Sequence, residues 1–412
     1  MNRRVALFAG ALLLVSCASG PAAISGHSLP ADTSSPTSSA SLPTVASSEP
    51  ATLPATPSTA SPVDAAAQLS IGDLPATADC TMGSPPADGQ ITFVVAGRLY
   101  AVSSDGAVQC LADLGGRSPT WLSWSPDGDE VLIGPDALLR ADGTISATGY
   151  FADNTNVRWS APTGKALLAP KATTGQLIWR NAHDSNDRID VSFADGITSA
   201  AYHPAGKHIV AAGIGRDGLG PGVFVASNRG ANAQRIGALE PGTTATEVAF
   251  DMSGDSMVFV HRHADGGSHL HRFHFASPTQ GTLGYLETLA DLPDVTPTHL
   301  VVSSVDEGDV AWTQAYSPAN ASTIVMLGGS TTTVSADSPE PDHIAESLGW
   351  LPGHRLLISS RSADPSAGAA FNLWEWSPTG MRSVLDGVSA AATRTMHGQY
   401  HEMTTVLGSG FG

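Results

Sequence analysis

Four histidines stand close together in His261-Arg-His263-Ala-Asp-Gly-Gly-Ser-His269-Leu-His271, with His274 just beyond. Neutral imidazole is a common ligand for borderline transition metals. Alternate residues of a strand share a face, so His261 lies on one face with His263, and His269 on one face with His271. Between the pairs, Asp265-Gly266 and Gly266-Gly267 are both good two-residue turns. An odd loop pairs His263 with His269 and His261 with His271. Four imidazoles then share one face, with neighbouring Cβ atoms about 5 Å apart, a set that could ligate Zn²⁺, Cu²⁺ or Ni²⁺. An even loop puts the two pairs on opposite faces, and the hairpin becomes a plain polar tip. The residue types leave both registers open. No other cofactor is expected.

Other patterns with chemical meaning are weaker. His397-Gly-Gln-Tyr-His401-Glu402 has histidines four apart, but the Glu lies outside the pair, unlike H-E-x-x-H, and the neighbourhood reads as strand. The nucleophile elbow G-x-S-x-G, the P-loop and C-x-x-C are all missing from the sequence. No catalytic residue is assigned.

The elements that would position the histidines follow from a second pattern. Trp124-Ser-Pro-Asp-Gly128 precedes the apolar run Val131-Leu-Ile133. Pro126 presets φ for a type I turn, Asp127 suits the next position, and Gly128 supplies the positive φ that starts the following strand. Related turns recur with glycines at 164, 206, 254, 308 and 353, each before a strand-like run, and a degenerate copy ends at Gly89. From Gly89 to Gly353 the mean spacing is about 44 residues, the period of a β-propeller blade of four short strands. An aromatic residue precedes several turns: Trp124, Trp159, Tyr202, Phe250 and Trp350. One such sheet cannot cover both its faces, so the sheets must pack as a ring. The expected fold is all-β: a seven-bladed β-propeller, with six blades as the alternative. Ile91 to Val95, Arg98 to Val102 and Val108 to Leu111 read as the second to fourth strands of the first blade. Its innermost strand is expected from Ala76 to Met82 or from the C-terminal run His401 to Leu407, the latter giving a clasp between chain ends.

The aromatic-Ser-Pro-Asp-Gly repeat followed by an apolar run resembles the TolB-type (WD-like) propeller, over roughly residues 80 to 390. That resemblance implies a fold and is nearly silent on function. The N-terminus resembles a bacterial lipoprotein export signal over residues 1–17. Arg3 and Arg4 precede an apolar run, and Leu14-Val15-Ser16-Cys17 matches the lipobox. The resemblance implies a lipid on Cys17 and an envelope protein held on the extracytoplasmic side of a membrane. Residues 18–75, rich in Ser, Thr, Pro and Ala, read as a disordered tether, and 76–412 as the propeller domain. Outside the cytoplasm Cys80 and Cys110 are expected to pair as a disulfide.

Charge narrows the partners. With 38 acidic and 20 basic residues the net charge is −18, which disfavours nucleic acid and anionic lipid headgroups. Function is expected to be that of a binding scaffold, with a protein, peptide or glycan at the propeller mouth. A metal-dependent hydrolase or lactonase using the histidine hairpin is the alternative. The hairpin should emerge on the face opposite the Ser-Pro-Asp-Gly turns, near the channel mouth.

Overall fold

The computed structural model describes residues between 69 and 394, apart from short internal stretches, of which 149–156, 276–283 and 334–342 are the longest. These residues fall within one compact unit, 62–412. The lipobox with Cys17, nearly all of the tether over 18–75, and His397 and His401 lie outside the described residues.

The chain is all-β: strands, turns and short loops make up the described residues, with a brief 3₁₀ turn at Ile71–Asp73. Leu122–Trp124, Glu130–Ile133, Ala137–Arg140 and Ile145–Ala147 form an antiparallel sheet in that order. The same succession of four strands recurs over 158–191, 194–238 and 244–292. Residues 297–388 make an eight-stranded sheet, whose two halves meet in one parallel bridge between Ala321 and Ile344.

The first strand of each run lies beside the first strand of the next. Leu122–Trp124 neighbours Arg158–Trp159, followed by Ala194–Tyr202, Thr244–Phe250, Pro297–Val302, His343–Leu351 and Ala390–Arg394. Ala390–Arg394 neighbours Leu122–Trp124 in turn, so the inner strands close a ring. This is the arrangement of a β-propeller, and it buries both faces of sheets that could not stand alone. The apolar cores lie in the seams. Met257, Phe259 and Phe273 pack against Val210, Ala212, Val223 and Val225 of the preceding sheet, while Val258, Val260 and Leu270 face Trp312 and Ile324 of the next.

Ring closure differs in detail from expectation. Gln90–Val95, Arg98–Val102 and Val108–Asp113 are the second to fourth strands of their sheet, as read from the sequence. The innermost strand, however, is Ala390–Arg394, paired antiparallel with Gln90–Val95. Neither Ala76 to Met82 nor His401 to Leu407 supplies it. The chain ends do clasp, but through an alanine-rich strand with little apolar periodicity, which the sequence did not advertise. Two further features secure the seam. Cys80 and Cys110 form a disulfide that ties the entry segment to the Val108–Asp113 strand. Leu69 donates its N–H to the Val384 carbonyl at 3.1 Å, and Leu69 and Leu74 pack with Leu373, Leu385 and Val388.

The repeated turn forms as its residues dictate. The Gly128 N–H donates to the Ser125 carbonyl at 2.9 Å, and Gly128 has φ of 79°. The Ser125 hydroxyl donates to Asp127 at 2.6 Å and accepts the Glu130 N–H at 3.0 Å. Each turn leads from an innermost strand to the second strand of its sheet, so all the turns crown one end of the ring.

Candidate functional site

A cavity of about 360 Å³ occupies the channel at the end that carries the turns. Every inner strand contributes to its wall, through Trp124, Arg158, Tyr202, Phe250, Val301, Trp350 and Thr393 among others. Pro126, Pro204 and Asp251 bring the turns themselves to its rim. A site built by the whole ring is available only when the ring is closed.

Charge at the channel is carried by Arg158, Glu247 and Asp251, the last with its oxygens engaged by Ser253, Gly254 and Ser256. Arg158 is open to channel solvent yet surrounded by protein, and lost hydration lowers its pKa, opposed by the charge of Glu247. Burial raises the Glu247 carboxyl, opposed by the charges of Arg158 and His299. Glu247 also accepts the backbone N–H groups of His299 and Leu300 on the neighbouring inner strand. Its oxygens are therefore partly committed, which leaves the guanidinium as a donor group for an acidic ligand.

The aromatic residues of the repeat prove to be stitches between sheets. Trp159 donates its indole N–H to the Ser123 carbonyl at 3.0 Å, and Trp350 donates to the Val301 carbonyl at 3.2 Å. Trp124 reaches the Thr92 hydroxyl at 2.8 Å. In each case the acceptor belongs to the preceding run of four strands. Trp159, Tyr202 and Trp350 are buried, and all three line the cavity.

All four histidines of the hairpin share one face. The loop is odd: the His263 N–H donates to the Gly267 carbonyl at 2.8 Å, and Gly266 takes φ of 100°. The register is shifted by one pair from the sequence expectation. His261 faces His269 directly, His271 faces Phe259, and His263 closes the turn with Gly267. The clustering survives because a two-residue shift preserves side-chain parity. Ring centroids are 6.2 Å apart for His261 and His269, 5.6 Å for His261 and His271, and 5.4 Å for His269 and His271. His263 stands 4.5 Å from His261 and 4.4 Å from His269. Burial lowers the pKa of His261 to about 4, helped by His263, His271 and His269. Burial also lowers His271, with His269 adding to the effect. These rings are thus neutral near pH 7 and keep a lone pair. The hairpin joins the second and third strands of its sheet and emerges opposite the turns, as expected. None of the four lines the cavity at the turn end.

A second cluster had no sequence signal beyond its turn positions. His354 Nδ1 lies 2.6 Å from an Asp309 oxygen, and the His354 N–H donates to Asp306 at 2.9 Å. It joins adjacent turns across the two halves of the eight-stranded sheet. The hydrogen bond to Asp309 raises the His354 pKa, while burial raises Asp309.

No family model and no curated protein matches the sequence. Solved structures are similar at low identity. TolB from Acinetobacter baumannii aligns at 14% identity and TM-score 0.41, over 76% of this chain and 68% of its own. The Cps50 (Swd1) β-propeller domain from Myceliophteria thermophila aligns at 15% and 0.43, over 67% and 95%. An oligogalacturonate lyase in complex with manganese aligns at 12% and 0.45, over 65% and 80%. Likeness at this level carries no functional argument. Among the described residues, no helix is long and apolar enough to cross a membrane.

Proposed function

We propose that this chain is a lipoprotein of the bacterial cell envelope whose propeller is a binding scaffold. Cys17 carries the lipid, residues 18–75 hold the tether, whose last part from Leu69 to Leu74 docks on the ring, and residues 76–412 are the propeller domain. Each half of the eight-stranded sheet counts as a blade, because among the described residues their strands pair only at the Ala321–Ile344 bridge, and the ring then has seven blades. The ligand is a protein, peptide or glycan that offers an acidic group to the turn end of the channel.

One observation carries this reading: Arg158 projects into a cavity of about 360 Å³ walled by every inner strand. A cavity near this size falls at the lower end of the range for ligand sites and admits a few side chains or one sugar unit. A charged donor in a space walled by protein attracts an anion more strongly than one on open surface. The test is capture from envelope extract by immobilised full-length protein. Wild type and Tyr285→Ala, altered on the outermost strand, should retain the same species, and Arg158→Met should lose it. Equal retention by all three would remove the channel from the account.

A further inference from the structure

We infer that the hairpin face formed by His261, His269 and His271, with His263 beside them, is a binding site for one borderline divalent transition-metal ion such as Zn²⁺, Cu²⁺ or Ni²⁺. This site is separate from the channel and does not depend on the scaffold reading.

The geometry is that of a ligand set. One ring nitrogen from each of His261, His269 and His271 can be chosen so that all three lie within 4.8 Å of one another. Imidazoles bound tetrahedrally at about 2.0–2.1 Å set their ring centres about 5 Å apart. The measured centroid distances, from 4.4 to 6.2 Å, bracket that value. Small χ rotations bring the nitrogens to bonding distance.

The burial pattern gives an independent reason. His261 is 7% exposed and His271 is 6% exposed. Their row continues Met257, Phe259 and Phe273, which fill the apolar seam with the preceding sheet. Imidazoles at such positions are costly unless their nitrogens are engaged. Yet Nε2 of His261 and Nε2 of His263 are buried without a hydrogen-bond partner. A metal ion satisfies both the orphaned nitrogens and the crowding of four rings.

Supporting groups are in place behind the ligands. The His271 Nδ1 lies 3.3 Å from the Thr288 hydroxyl, and the His269 Nε2 lies 3.2 Å from an Asp291 oxygen. Each contact occupies one ring nitrogen and leaves the other for an ion, the usual arrangement for metal-bound histidine. Thr288 and Asp291 belong to the outermost strand, Gly284–Leu292. The ion would thus organise the second and third strands directly and the fourth through its outer partners. An all-nitrogen set excludes Ca²⁺ and Mg²⁺, which require oxygen. With His263 as fourth ligand the shell is filled by protein, which suits a structural site rather than a hydrolytic one.

The test is titration of metal-free full-length protein with Co²⁺, Zn²⁺ and Cu²⁺. Wild type should bind one equivalent. Co²⁺ should give the visible bands of tetrahedral nitrogen coordination, and Cu²⁺ should show nitrogen hyperfine structure from several imidazoles. His261→Gln should weaken binding beyond the roughly 10–100-fold typical of losing an outer-shell partner. His269→Gln, at a half-buried position, guards against misfolding of the buried variant and should show the same loss while keeping the native strand spectrum. Asp291→Asn should weaken binding within that 10–100-fold range. Absence of a stoichiometric site in wild type would overturn the inference. So would undiminished affinity in a folded His269→Gln protein.

Discussion

The Nε2 of His203 lies 3.2 Å from the carbonyl oxygen of Gly254, although 51 residues separate them. The Nδ1 of the same ring accepts the Ala205 N–H at 3.0 Å, so Nε2 carries the proton and donates it to Gly254. One turn of the crown therefore grips the next. Gly254 has φ of 80°, and a Cβ there would stand 2.3 Å from His203 Nε2, so only glycine permits the contact.

This ring must stay neutral, and stability should report it. Burial lowers the His203 pKa from 6.5 to about 4. Between those values the unfolded chain binds more protons, so stability rises with pH across that window. His203 contributes fully above about pH 6.5, and roughly 3 kcal/mol is lost as pH falls toward 4. Urea midpoints measured from pH 7.5 to 4 will check this. His203→Gln should flatten the slope but not abolish it, because His261 titrates in the same direction. An unchanged slope would show that His203 is not the group responsible.

Trp159→Phe tests the stitches between sheets. The substitution keeps an aromatic ring and removes the donor that reaches Ser123. It leaves a carbonyl without its partner in a seam and should cost about 1–3 kcal/mol. Chemical denaturation of both proteins measures it. A difference near zero would mean that the indole serves packing alone.

The disulfide should matter through the chain it closes. Cys80 and Cys110 are 30 residues apart, and closing such a loop stabilises by about 3–4 kcal/mol in the chain-entropy model. Cys80→Ala with Cys110→Ala should lower the thermal midpoint without changing the native strand spectrum. Calorimetry decides the matter, and an unaltered midpoint would contradict the role assigned to the entry segment.

How much of this was legible in the sequence depends on how local the physics is. The turn at Ser125 to Gly128 is specified by its own residues, and so are the strands on either side. Side-chain parity within the hairpin is local too, so the four histidines could be placed on one face once the loop proved odd. The register could not be read, because Asp265-Gly266 and Gly266-Gly267 both turn well and the choice depends on cross-strand fit. The closing strand Ala390–Arg394 was missed for the opposite reason. Small alanines give no hydrophobic period, and the strand exists because Gln90–Val95 offers it an edge. The repeat of Trp124, Trp159 and Trp350 was visible, but its purpose was not. Their acceptors lie one run of four strands back, at sequence separations of 32, 36 and 49 residues. Nothing in the sequence pointed to Arg158 as a channel residue, since its strand, Arg158–Trp159, is two residues long.

The central claim is that a ligand enters the turn end of the channel. Photo-crosslinking from inside the cavity tests it most directly. A benzophenone side chain is placed at Val302 or Pro126, both lining the cavity, and at Tyr285, which is 60% exposed on the outermost strand. The full-length proteins are irradiated in their own envelope. One dominant adduct is expected, shared by positions 302 and 126, lost with Arg158→Met and absent from position 285. Adducts that are the same from all three positions, or none from the cavity, would contradict it.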